Sequence, residues 1–120
     1  MDASELAVAQ ARENAELNGV SGTTTFQCAD VFDLLPELEA KGEQFDVVIL
    51  DPPRAGIHED VARTVLRAAP QRIVYVSCNP ATQARDIAIF DADYRVTRIQ
   101  PVDMFPHTHH VENVVQLVRC

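Results

Sequence analysis

Apolar residues change their spacing several times along the chain, and each change marks an element. Residues 3–18 are alanine-rich and predict a helix, capped by Asp2 or Ser4 and stopped by Asn18-Gly19. The short stretch TTTFQC, 23–28, is β-prone and predicts a strand, and 33–41 predicts a helical turn or two. FDVVILD, 45–51, is a continuous apolar run of strand length, the pattern of a strand buried on both faces. Within 57–69, Val61, Val65, Leu66 and Ala69 recur at helical spacing. Residues 72–77 predict a second buried strand, and 80–90 a helix with Asn79 as N-cap and Pro80 in its first turn. The segments 94–100 and 112–119 predict two more polar strands. The order is β-α-β-α-β with a β-β finish, which predicts an α/β fold: an open, mostly parallel sheet with helices on both faces.

At 120 residues the chain is at most one domain, 1–120. Its 47% hydrophobic and 23% charged residues make a globular composition and exclude a disordered chain. No apolar run approaches the ~20 residues that cross a bilayer, and no leader pattern opens the sequence, so a soluble, cytoplasmic protein is expected, with no membrane partner. Cys28, Cys78 and Cys120 are odd in number and widely spaced, which argues for a reducing compartment over a disulfide framework. The net charge of −8, with no Lys/Arg run, means that any grip on a polynucleotide comes mostly from elsewhere.

In open α/β sheets ligands bind beyond the carboxyl ends of the strands, and three residues are expected there: Asp30, Asp51 and Cys78. Asp51 leads into Pro52-Pro53-Arg54, a stiff and extended exit from the sheet. Cys78 stands where a strand stops and a helix starts, so the helix N-terminus favours a thiolate there; an inert small core residue is the other reading. His107, His109, His110 and Glu112 crowd the last connection, but without a zinc-type spacing, so no metal is expected and the segment reads as a loop beside the site. No GxGxxG occurs and the chain opens at a helix, so it reads as the back part of a larger domain.

Three segments together, DPPRAG (51–56), YVSCNPATQARD (75–86) and DMFPHTHHVENVVQLVR (103–119), resemble the signature segments of the RNA uracil-5-methyltransferase family. The resemblance covers essentially the whole chain, in the family's order. It implies a Rossmann-like S-adenosylmethionine-dependent methyltransferase fold and methylation of C5 of a uridine in 23S ribosomal RNA or transfer RNA. By resemblance, Cys78 is the nucleophile and Glu112 the base that removes the C5 proton. Asp51 falls at a cofactor-site aspartate, Asp30 near the adenine, and Asp2 at the acidic residue that binds the ribose hydroxyls. Asp2 as a helix cap, with Glu5 three residues on, stays open beside that role.

The residue types suit the chemistry. C5 of uracil is a poor nucleophile until a thiolate adds to C6, and cysteine both adds and leaves readily. The family's first strand, glycine loop and RNA-gripping regions, including a small β-barrel and the cysteines some members use for an iron-sulfur cluster, would lie upstream of Met1. The fold is therefore expected to be truncated at its N-terminus, and the isolated chain to be inactive and prone to self-association. Two rivals remain: a non-catalytic fragment, and an amino-group methyltransferase with a [DN]PP[YFW] motif. Arg54 in place of the aromatic residue, and Cys78, count against the second.

Overall fold

The computed structural model describes the chain from Met1 to Cys120, with Phe32 described only as a position in its helix. It divides into two compact units, Met1–Leu38 and Glu39–Cys120.

In the first unit, helix α1 spans Glu5–Leu17 and buries Val8 and Ala15. Ser4 is its cap, accepting from the Ala7 N–H at 3.2 Å. Asp2 does not cap the helix; its carboxylate accepts from the Ser4 N–H at 2.7 Å and so fixes the cap from outside. Asn18 and Gly19, the latter at φ +68°, end the helix. A single 3-10 turn, Ser21–Thr23, follows.

The strand expected at 23–28 does not form: an isolated parallel bridge joins Asp2 to Cys28, with the Asp2 N–H on Gln27 O at 3.2 Å and the Ala29 N–H on Asp2 O at 3.1 Å. A strand needs a partner along its length, and this β-prone stretch meets one residue's worth of ladder. Helix α2, Val31–Ala40, then starts on the carbonyl of Asp30, which accepts from the Asp33 and Leu34 N–H groups at 3.2 and 3.0 Å.

The second unit holds strand β1 (Val47–Leu50), helix α3 (Glu59–Ala68), strand β2 (Arg72–Ser77), helix α4 (Pro80–Phe90) and strands β3 (Tyr94–Val102) and β4 (Glu112–Arg119). They build a four-stranded sheet in the order β1-β2-β4-β3. β1 and β2 are parallel, whereas β4 slots between β2 and β3 and runs antiparallel to both. The sheet is therefore mixed, where the alternation of elements predicted a mostly parallel one.

β1 lies at the sheet edge and is not buried on both faces: Val47 is 46% and Ile49 70% exposed. The core gathers Ile73, Tyr75, Val115 and Leu117 of the central strands with Val61, Ala62 and Val65 of α3, Phe90 of α4 and Tyr94 of β3. Burying each such Val or Leu side chain contributes roughly 1.5–3 kcal/mol. Tyr94 keeps its hydroxyl satisfied on Pro70 O at 2.7 Å, just past the left-handed Ala69 that ends α3.

Candidate active site

Strand direction brings the chemistry together. β1 and β2 run parallel, so Asp51 and Cys78 both leave the sheet at its carboxyl end. β4 runs the other way and starts at that same end with Glu112. Ser77 pairs with Asn113 at the last rung of the β2–β4 ladder; Cys78 follows Ser77 and Glu112 precedes Asn113, so both stand just beyond that rung, and Glu112 pairs with Val102 of β3. Asp51, Cys78 and Glu112, predicted from widely separated segments, thus share one end of one sheet.

The backbone at Cys78 is held on both sides. Ser77, 1% exposed, accepts from the Asn79 N–H at 3.0 Å, and its hydroxyl lies 3.1 Å from Asn79 O. Asn79 caps α4, accepting from the Ala81 N–H at 3.2 Å. Cys78 therefore sits at the start of a capped helix and is partly exposed, whereas Cys28, in the bridge to Asp2, and Cys120, after β4, are exposed.

Arg54 crosses from the turn after β1 to the connection before β4. Its Nη2 lies 2.8 Å from His110 Nδ1, and the guanidinium charge holds the His110 ring below the ordinary histidine range. The connection is ordered by Thr108, whose N–H and hydroxyl both bond Phe105 O, at 2.9 and 3.0 Å. Among the described residues, no three His, Cys, Asp or Glu side chains converge on a metal-sized site.

The inward face of α4 is polar, and the sequence reading missed it. Gln83 and Asp86, each 1% exposed, lie on it with Asn79 and Thr82. Gln83 donates to Tyr75 O at 2.9 Å and Asn113 O at 3.0 Å, and accepts from Asn113 Nδ2 at 2.7 Å. Asp86 accepts from the Tyr75 hydroxyl at 2.6 Å, and burial first, then this bond, raises the Tyr75 phenol well above its ordinary value. The signal available was the spacing 79, 82, 83, 86, an i, i+3, i+4, i+7 stripe occupied by polar residues where apolar ones are usual.

Asp2 and Asp30 belong to the first unit, where Asp2 bridges Cys28 two residues before Asp30. Both are exposed, and carboxylates suit the hydroxyls of a ribose and the amino group of an adenine. A hollow of about 160 Å³ lined by Asp2, Val8, Ala11 and Phe26 is smaller than the roughly 300 Å³ or more of a usual ligand pocket. These residues fit the polar side of a nucleoside site and do not enclose one.

The sequence profile described as tRNA (uracil-5-)-methyltransferase matches residues 5–120. The chain belongs to this family. A curated relative from Porphyromonas gingivalis, named an uncharacterized RNA methyltransferase, is 59% identical over 117 residues, covering 94% of this chain and 25% of the relative. A Bacillus cereus relative of the same description is 44% identical over 119 residues, covering 99% of the chain and 26% of the relative. Among solved structures, the Pyrococcus abyssi tRNA (uracil-54, C5)-methyltransferase in complex with S-adenosyl-L-homocysteine superposes with a TM-score of 0.83 at 44% identity, over 97% of this chain and 27% of that one. The mitomycin 7-O-methyltransferase MmcR, 15% identical with a TM-score of 0.56 over 99% of the chain and 41% of its own, shares the fold alone. The chain thus spans about a quarter of the length of the curated relatives it matches. No described helix is long and apolar enough to cross a membrane.

Proposed function

We propose that residues 1–120 are the C-terminal part of the catalytic domain of an S-adenosylmethionine-dependent enzyme that methylates C5 of a uridine in RNA. The observation that supports this reading is the β2–β4 register, whose last rung, Ser77–Asn113, is followed at the ligand end of the sheet by the partly exposed Cys78 and by Glu112. S-adenosylmethionine supplies an electrophilic methyl group, and Asp2, Asp30 and Asp51 are the residues proposed to hold it.

Cys78, as thiolate, forms a bond to C6 of the uracil. The electron pair of the C5–C6 double bond moves toward the C4 carbonyl, making an enolate whose C5 is nucleophilic. Once methylated, C5 still carries its hydrogen. Glu112 takes that proton, the C–H pair restores the C5–C6 double bond, and the sulfur leaves as thiolate. The chain's −8 charge leaves most of the RNA grip to other regions.

We propose 23S ribosomal RNA as substrate. Transfer RNA, named for the Pyrococcus abyssi neighbour, is the second reading. The experiment is a full-length chimera in which this chain replaces the matching quarter of the Porphyromonas gingivalis relative. With 5-fluorouridine-substituted 23S rRNA or tRNA transcripts, fluorine cannot leave as a cation, so the intermediate stalls after methyl transfer. A denaturant-resistant complex is expected with one transcript, lost in Cys78→Ala and kept in Cys28→Ala. An adduct mapped by mass spectrometry to Cys28 or Cys120 would overturn the assignment.

A further inference from the structure

Asp86 is a carboxylate buried to 1% exposure, and its hydrogen bonds converge on a surface turn and that turn's supports. One oxygen, Oδ2, accepts from the Tyr75 hydroxyl at 2.6 Å and from the Ile57 N–H at 2.9 Å. The other, Oδ1, accepts from Arg85 Nε and Nη2 at 2.9 and 2.7 Å, and Arg85 Nη2 also donates to Ala55 O at 2.8 Å. Nearer the start of α4, Thr82 Oγ1 donates to Arg54 O at 3.1 Å, with Asn79 Nδ2 3.4 Å from the same oxygen. Between these anchors the Gly56 N–H closes a turn on Pro53 O at 2.9 Å. Gly56 has φ +84°, and a Cβ there would overlap Asp86 Oδ2.

Burying a carboxylate is costly, and an apolar side chain of similar size would fill the space without that cost. What the carboxylate does that an apolar group cannot is fix a peptide N–H, a phenol and a guanidinium at one point. The helix that does this begins two residues after Cys78, so the turn's distance from the thiol is set along a single rigid element. We propose that Asp86, with Tyr75 and Arg85, is a positioning residue for the methyl-donor side of the site: it locks the Pro53–Ile57 turn, and with it Asp51 and Arg54, in place relative to Cys78. The inference rests on the function proposed above and deepens it.

The test uses the full-length chimera and two reactions. Methyl transfer needs both sides of the site. Release of tritium from C5 of [5-³H]uridine RNA without methyl donor needs only the thiol side: Cys78 adds to C6, C5 takes a solvent proton, Glu112 removes the triton and the thiolate leaves. Asp86→Asn keeps the shape but turns an N–H toward donors. It is expected to raise the KM for S-adenosylmethionine at least about tenfold while tritium release stays within about threefold. Tyr75→Phe, which keeps the Ile57 and Arg85 bonds, is expected to move the same KM by about two- to fivefold and carries the test if Asp86→Asn does not fold. An unchanged KM, or a parallel fall of both reactions, would overturn the inference. Tritium release that survives Cys78→Ala would instead overturn the function it rests on.

Discussion

In the proposed mechanism, replacing Glu112 separates proton removal from everything Cys78 does. Cys78 and Glu112 lie just beyond the last rung of the β2–β4 ladder, Ser77–Asn113, and the proposed mechanism needs a uracil bonded to Cys78 at C6 to present its neighbouring C5 to the Glu112 side chain. Glu112→Gln keeps the shape and removes the proton acceptor, an effect of roughly 10²–10⁴-fold for a general base. Glu112→Asp keeps the acceptor but withdraws it by one carbon–carbon bond, about 1.5 Å. That takes it outside the ~2.6–3.2 Å needed for proton transfer. A misplacement of about 1 Å costs on the order of 10²-fold. Both variants are expected to turn over at least about 10²-fold more slowly. Proton removal follows addition and methylation, so both should accumulate a methylated covalent complex on ordinary uridine RNA. Single-turnover reactions with radiolabelled methyl donor, resolved on denaturing gels, read rate and complex together. Normal turnover would show Glu112 to be no more than a carboxylate at the start of β4, and slow turnover with no complex would refute its role in removing the proton after methylation.

Tyr94→Phe strands Pro70 O in the core and should cost about 1–2 kcal/mol in chemical denaturation; a loss near zero would mean that water replaces the hydroxyl. His110 titrates below 6.5 because of Arg54, so the folded state binds fewer protons than the unfolded one. Its contribution to stability is present above the unfolded value of 6.5 and is lost as pH falls below it. Arg54→Ala should move the His110 ring titration upward by NMR, and an unmoved titration would assign the shift to another cause. The exposed β1 edge should make the isolated chain self-associate, and Ile49→Lys should suppress this in sedimentation velocity. A monodisperse monomer before the substitution would refute that expectation.

Elements that carry their own punctuation were legible in the sequence. α4 matches the span marked by Asn79 and Pro80 because cap chemistry is local, and β2 matches its apolar run because it finds a partner strand on each side. The 23–28 stretch failed because a strand is a property of two segments, and propensity describes one of them. For the same reason an apolar run could not reveal that β1 is an edge, nor that β4 inserts between β2 and β3. That Cys78 and Glu112 come to the same end of the sheet follows from that insertion, and in the sequence their pairing as nucleophile and base rested on resemblance alone. Asp86 and Gln83 escaped because a buried polar stripe looks like an exposed one until its partners are located.

The bonds from α4 to the turn at 54–57 also decide where this chain can change length. Each residue of a helix advances it by about 1.5 Å and turns it by about 100°. One residue inserted or deleted between Thr82 and Arg85 would leave Asn79 and Thr82 on Arg54 while swinging Arg85 and Asp86 off Ala55 and Ile57. No side-chain substitution nearby could undo such a rotation. At 41–44, by contrast, the chain is exposed and Gly42 has open space around it, so an extra residue would be taken up locally. Length variants among relatives should therefore collect in that turn and be missing from the seven-residue interval that joins Asn79 to Asp86.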